Sequence, residues 1–570
     1  MSLSIPHIFK EEVKEMTCTV RNSLVLLLAL TLAAAGATAA FASGEEETGA
    51  AAMAELSPPG VVPIFEEKVT MTAFVSYTRT IVDFEANEMT KWMEEQTNIH
   101  WEWDAVNSSE DAKAKFTLLM NSGAELPDMM MGMQITNDEK HLYGSQGLFI
   151  PLNDIIEEHG FYINDVVKAA PNFLKESAGP DGNVYVITAY EECYHCGVAQ
   201  KMWINQVWLD KLGLEIPTTT EELREVLRAF KTQDPNGNGV ADELPLSGFA
   251  NSWHTRPWPY LLNAFLYTDD NNMLNVQNGE IVAAFTQPEW REGMRYVHSL
   301  YAEGLIDEEM FVRDRSALAP LVEGDPPRVG AGTVGHRGML GAWRGGYEGG
   351  SGDFRVVPPL RGPDGHVSAG YFPFGPKEAD SAAITKDADN PEAIYKWLDY
   401  MYSREASVRN WWGVFGVDWR WAEPGEIGIN GKPAVHTNLG ADAVFLEPQQ
   451  TQAWIHSSPF FMPSDLFGGS SGDPNEFNYE GFLIESSHVY YEHLPEVWVP
   501  RMALGVEDAK VVSEIRPVVN EFVYESAAKF VTGRLDINDD NDWNNFLAEL
   551  DKIGLPEYLE IMNAAYEAYK

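Results

Sequence analysis

Trp203-Ile-Asn205 and Trp208-Leu-Asp-Lys-Leu-Gly213-Leu lead through Ile216-Pro-Thr-Thr-Thr220 and a helical run from Glu221 to Lys231 into Asp234-Pro-Asn236-Gly-Asn238-Gly239-Val240-Ala-Asp242-Glu243. The last ten residues crowd five oxygen-bearing side chains around glycines that permit a sharp turn. Asp, Asn and Asn at positions 1, 3 and 5 with Gly at 6 follow the start of an EF-hand loop, where alternate side chains converge on a hard cation. The carbonyl of Val240 supplies position 7. Position 12 is Pro245 rather than a bidentate Glu, so Asp242 and Glu243 would close the shell. The alternative is a run of Asx turns without metal. Two adjacent carboxylates beside the Asn pair repel unless a cation lies between them, which favours structural Ca2+ held by Asp234, Asn236, Asn238, Val240, Asp242 and Glu243.

Further along the chain stand Gly182-Asn-Val-Tyr185, Pro358-Pro-Leu-Arg-Gly-Pro-Asp-Gly365, Ile384-Thr-Lys followed by Asn390-Pro-Glu-Ala, and a tail from Lys529-Phe-Val-Thr-Gly-Arg534 to Tyr569. In order and spacing, with the stretch from Trp203 onward, these resemble the extracellular solute-binding proteins of ABC sugar importers, in particular the large-lipoprotein subgroup with a calcium loop at this point. The resemblance covers about residues 68 to 570. It implies a two-lobed periplasmic-binding-protein fold, type II-like, with a hinge and a central ligand cleft. It also implies an oligosaccharide as ligand, ABC permease subunits as partners and no catalysis.

The N-terminus agrees with export. Arg21 heads an apolar run from Leu24 to Ala35, too short for a membrane span, and Ala40-Phe41-Ala42 suits signal-peptidase cleavage before Ser43. Residues 1–42 are expected to be a signal peptide and 43–67 a flexible leader poor in large apolar groups. Cys18 precedes the apolar run, and no lipobox cysteine follows it as in many relatives. The expectation is a periplasmic or extracellular monomer without a lipid anchor.

A formal charge of −46, from 86 acidic against 40 basic residues, argues against nucleic acid, whose phosphates need a positive face, and disfavours strongly anionic ligands. It suits a solvated surface in a salty exterior.

Patterning predicts an α/β architecture. Val69 to Tyr77 is predicted as a strand, Asn87 to Thr97 as a helix, Ile99 to Val106 as a strand, Glu110 to Asn121 as a helix and Leu126 to Met131 as a buried strand. Such alternation builds a sheet covered by helices. About 500 residues exceed a single core, so two lobes are expected. The first takes 68–187 and 366–405, the second 188–365 and 406–570, with amphipathic helices over Glu507 to Thr532 and Trp543 to Lys570.

Open α/β sheets bind ligands beyond the carboxyl ends of their strands, and two facing lobes close such loops over one cleft. Seventeen Trp are available to stack on sugar rings, several of them in Gly- and Pro-rich contexts. The expected cleft residues are Trp253 and Trp258, Trp343, Trp412 of the pair Trp411-Trp412, Tyr77 at the end of the first strand, Glu191 past the lobe crossing, and Trp203, whose other assignment is lobe core.

Cys193 and Cys196 survive processing, and their spacing admits a local disulfide, two buried thiols or redox or metal chemistry; the exported context favours the disulfide. A secreted carbohydrate-active enzyme would need paired carboxylates, which composition allows. Yet no H-E-x-x-H or phosphate-cradling loop is present, and the 13 His lack a metal-ligand spacing.

Overall fold

Val69–Ser76 and Ile99–Val106 run parallel in register from Val69 opposite Ile99 to Ser76 opposite Val106, and they seed the larger of the two main sheets; a three-stranded and a two-stranded sheet complete the four among the described residues. A computed structural model describes residues 55–570 apart from 78–79, 180, 250–251, 342–347, 440–448, 472–478 and 503; the expected signal peptide lies outside them. The helix Glu88–Thr97 between these strands starts where Asn87 Oδ1 accepts the Met89 amide and stops at Asn98 in the left-handed region.

The larger sheet has six strands in the order Phe461–Met462, Ile187–Glu191, Pro376–Ile384, Met129–Met133, Val69–Ser76 and Ile99–Val106. Pro376–Ile384 is antiparallel to both of its neighbours. Alternate residues feed two cores. Ala73, Val75, Met129, Met131, Ala382 and Ile384 face one that contains Trp101, Trp397 and Trp454, while Phe74, Met130 and Ala383 face another built on Phe116 and Phe149. Burial on both faces explains why Met129–Met133 is apolar throughout.

The smaller sheet orders Phe354–Val357, Met202–Asn205, Val329–Thr333 and Leu244–Ser247. Met202, Ile204, Leu246 and Ala331 point into a large core with the C-terminal helices Val506–Val531, Asp540–Lys552 and Leu555–Tyr569, while Trp203 and Phe354 point to the opposite side. The helix Thr220–Thr232 buries Leu223, Val226, Leu227 and Phe230 at helical spacing and opens with a capping box between Thr219 and Glu222. Both sheets belong to one compact unit, Glu55–Lys570.

Two of the sequence-based boundaries need correction. Residues 55–67, expected in the flexible leader, are packed: Ile64 and Phe65 are buried in the first core, and the Ile64 amide donates to Thr97 O at 3.0 Å. Two adjacent large apolar side chains suffice to dock a segment otherwise rich in Glu and Pro. Phe461–Met462, expected with the second lobe, pairs with Ile187–Glu191 and completes the first sheet. A short two-residue strand carries no periodicity from which its sheet could be read.

The chain passes from the larger sheet to the smaller through 192–201 and returns through 358–375. Phe372 N donates to Gly197 O at 2.8 Å, which ties the two crossings side by side. Among the described residues no helix is long and apolar enough to cross a membrane.

Candidate functional site

A cavity of about 470 Å³ opens where these crossings meet. Much of its wall comes from segments that follow the carboxyl ends of strands, where open α/β sheets place ligands. Glu191 ends Ile187–Glu191, the turn Cys193 to Gly197 follows, Trp253 and His254 lie beyond Leu244–Ser247, and His336 lies beyond Val329–Thr333. Phe372 and Phe374 come from the return crossing, Lys377 from the start of the strand Pro376–Ile384, Trp411 from the helix Arg404–Trp412, and Glu480 from the helix Tyr479–Tyr491.

Trp253 is an exposed aromatic of the wall, with 39% of its surface accessible, as is Phe374 at 37%. Its ring centroid lies 6.3 Å from that of His195, 5.2 Å from His254 and 6.3 Å from His336. His254 holds the left-handed φ of 53°, and Gly335 lies under the indole, where an added Cβ would fall 2.1 Å from Trp253 Cε3. Only glycine admits this contact. On another part of the wall Trp411 meets His456 edge to face at 4.9 Å.

Charge in the cavity is paired. Lys377 forms an ion pair with Glu191 and lies 3.9 Å from Asp380 Oδ2, which is 3.1 Å from His456 Nδ1. Burial pushes the Asp380 carboxyl up, but His456 and Lys377 outweigh it and hold the acid below its usual range. Burial raises Glu480 to about 8, with help from the Glu191 carboxylate. Burial also lowers His254 and His336 to about 3 each and pushes His195 well down, so these imidazoles are neutral at physiological pH. Cys193 and Cys196 form a disulfide in the wall, and His195 sits between them.

Of the residues expected at a ligand, Glu191 and Trp253 line this cavity. The others lie elsewhere. Trp203 is fully buried and donates from Nε1 to Val334 O at 3.0 Å, and Trp258 is buried against Phe311 with rings 6.0 Å apart. Trp412 packs on His436 at 4.5 Å while its neighbour Trp411 lines the cavity, and Tyr77 packs against Phe84 beside the first core. Gly and Pro near a Trp do not mark exposure; the face of the element does. Trp343 lies outside the described residues. Sequence reasoning missed His195, His254, His336, Lys377, Trp411 and Glu480 as wall residues. His195 stood inside a motif already singled out, whereas Glu480 lies on a helix with no distinguishing pattern.

The acidic loop lies on the surface of the second region. Asp234 Oδ1 accepts the amides of Gly237 and Asn238, Asp234 Oδ2 accepts that of Gly239, and Asn238 Oδ1 accepts that of Val240. The side-chain amides of Asn236 and Asn238 both donate to Asp242 Oδ1, at 3.2 and 3.0 Å. Glu243 is buried at the loop's base, and its Oε1 has no hydrogen-bond partner among the described residues. Among the described residues the carboxylates of Asp234, Asp242 and Glu243 do not gather within 4.8 Å of one another, and the Asp234 and Asn238 oxygens accept from the loop's own amides, an arrangement of Asx turns that a bound cation would have to reorganise.

A model of the bacterial extracellular solute-binding proteins matches residues 78–408. The fructooligosaccharide ABC transporter substrate-binding protein FusA of Streptococcus pneumoniae serotype 4 is 28% identical over 521 residues, which cover 90% of this chain and 92% of that protein. The structure of S. pneumoniae FusA in complex with kestose aligns with a TM-score of 0.75 at 25% identity, covering 88% of this chain and 99% of that one. An extracellular solute-binding protein from Bifidobacterium longum subsp. infantis aligns with a TM-score of 0.73 at 23% identity, over 88% of this chain and 98% of its own. The match to the family model spans more than half of the sequence and agrees with the two-sheet architecture and its interposed cavity: this chain belongs to the bacterial extracellular solute-binding proteins.

Proposed function

We propose that this protein is the solute-capturing component of an ABC importer and that its solute is an oligosaccharide, held in the cavity between the two sheets and passed unchanged to permease subunits. The observation that carries this reading is the wall itself: an accessible indole at Trp253 backed by neutral imidazoles, with Trp411 and Phe372 on other sides. Aromatic faces take the C–H faces of sugar rings, and imidazoles both donate to and accept from hydroxyls. The paired crossings at 192–201 and 358–375 are where a hinge would flex as the two regions close on the solute. The resemblance to FusA, whose name assigns it fructooligosaccharide, supports a glycan.

The protein acts outside the cytoplasm as a monomer, and the loop Asp234 to Glu243 holds a structural Ca2+ through Asp234, Asn236, Asn238, the Val240 carbonyl, Asp242 and Glu243. The cation's contribution is to tie a long polar turn together away from the cavity, and it takes no part in contacting solute.

A hydrolase is the second reading, because Glu480, raised to about 8, and Glu191 are two carboxyl groups in one cavity, as a glycosidase requires. Glu191 is committed to Lys377, which weighs against it as base or nucleophile. A thermal-shift screen of neutral and acidic oligosaccharides, followed by chromatography of the incubated glycan, tests both. A raised melting temperature with the glycan recovered intact supports capture, while shortened products establish hydrolysis instead.

A further inference from the structure

Three side chains of the cavity wall carry a polar atom that is buried and has no hydrogen-bond partner among the described residues: Glu480 Oε2, His195 Nδ1 and His254 Nδ1. His195 Nε2 and Glu480 Oε2 are 3.8 Å apart, too long for a hydrogen bond, and His254 Nδ1 is likewise 3.8 Å from Asp270 Oδ2. Other buried polar atoms of the described residues, in the cores and at Glu243, are unmet as well; these three are set apart because their side chains line the cavity, beside the place of a bound solute.

We propose that these three groups form a subsite for an uncharged, hydroxyl-rich part of the glycan, with the Glu480 carboxyl group donating a hydrogen bond to a solute oxygen. The proposal rests on the glycan-capture reading and adds the substrate class, neutral rather than uronate-bearing. The cavity's ionic partners decide the class. Lys377 is engaged by Glu191 and Asp380, the imidazoles of His195, His254 and His336 are neutral, and Arg501 sits at the exposed rim with Nη1 donating to Pro376 O at 2.8 Å. A carboxylate brought into this interior would lose its hydration, meet Glu191, and find the buried cation already paired. Hydroxyls donate and accept, so they satisfy imidazole nitrogens and a carboxyl group alike.

Glu480 faces His195 of the first crossing, with Glu191 at the end of its strand and Lys377 behind that carboxylate; His336 lies beyond Val329–Thr333 on the side of His195. Burial and Glu191 keep Glu480 protonated up to about pH 8. Below that pH the donor is present and affinity is level. Above it the proton must be regained on binding, and affinity falls by about ten-fold per pH unit.

The test is calorimetric titration of the intact protein between pH 6.5 and 9.5 with two sets of matched length, neutral oligosaccharides (fructo-, malto- and xylo-types) and oligouronates, using wild type, Glu480→Ala and Glu480→Gln. A neutral glycan should bind at least about ten-fold more tightly than its uronate counterpart at pH 6.5. Glu480→Ala should lose about ten-fold in affinity, and Glu480→Gln, which places an N–H donor at the same point, should recover part of that loss with a level profile to pH 9.5. Tighter binding of oligouronates overturns the subsite alone. So does a wild-type affinity that stays level to pH 9.5, or a glutamine variant that keeps the alkaline fall. Binding of neither set overturns the glycan reading as well. Should the alanine variant fold poorly in a melting curve, the wild-type and glutamine profiles still decide.

Discussion

The loop 234–243 and the segment 191–197, which ends a strand and opens the first crossing, are both short polar stretches that stand out in the sequence, and the structure treats them in opposite ways. In the loop the side chains are largely turned on the loop itself: Asp234 caps three amides, and two Asn amides share Asp242. In the segment, Glu191 and His195 are buried in a cavity wall, and His195 Nδ1 is left without a hydrogen-bond partner. The difference teaches that a density of polar residues marks a turn when the side chains satisfy the loop's own amides, whereas polar side chains that line a cavity mark a place for solute.

The sharpest way to break this comparison is to strip the segment of its charge partner. Lys377→Met leaves Glu191 buried with no counterion and should cost roughly 3 kcal/mol in denaturant unfolding, discounted because Lys377 keeps 31% of its side-chain surface. A loss below about 1 kcal/mol would place the pair with ordinary surface salt bridges. Next in size is the loop. Removal of Ca2+ with a chelator should destabilise the protein by about 2.7 kcal/mol when the free ion had been near one hundred times its Kd, read as a lower melting temperature that returns when Ca2+ is added back. A melting curve indifferent to chelator would leave the loop as a set of Asx turns. The smallest effect sharpens the reading of the cavity: Trp253→Ala should weaken glycan binding about ten-fold, near 1.4 kcal/mol, while unfolding shifts by less than about 1 kcal/mol because the indole is partly exposed. Equal losses in stability and binding would make Trp253 a packing residue.

Much of the fold was legible. Ile99–Val106 has the bounds that its alternation predicts, and the helices Glu88–Thr97, Ser109–Ser122, Thr220–Thr232 and Val506–Val531 lie within a residue or two of theirs. Periodicity and capping are properties of neighbouring residues and can be read locally. The pairing of Phe461–Met462 with a strand some 270 residues earlier is not local, and neither is the docking of Ile64 and Phe65. Less of the site was legible. Trp411 and Trp412 are adjacent, yet one lines the cavity and the other packs on His436, since successive helical residues point about 100° apart. Trp203 faces the core because strand alternation turns it toward Phe354 and Phe482 rather than toward solute.

The sequence by itself determined the α/β alternation, the family and the oxygen-rich loop, because each rests on residue order over short spans. Only the tertiary structure decided which aromatic rings face the cavity, that Cys193 bonds to Cys196 within its wall, and that Glu480 meets His195 there. Burial and charge depend on what a side chain is folded against, and distant segments of the chain supply those neighbours.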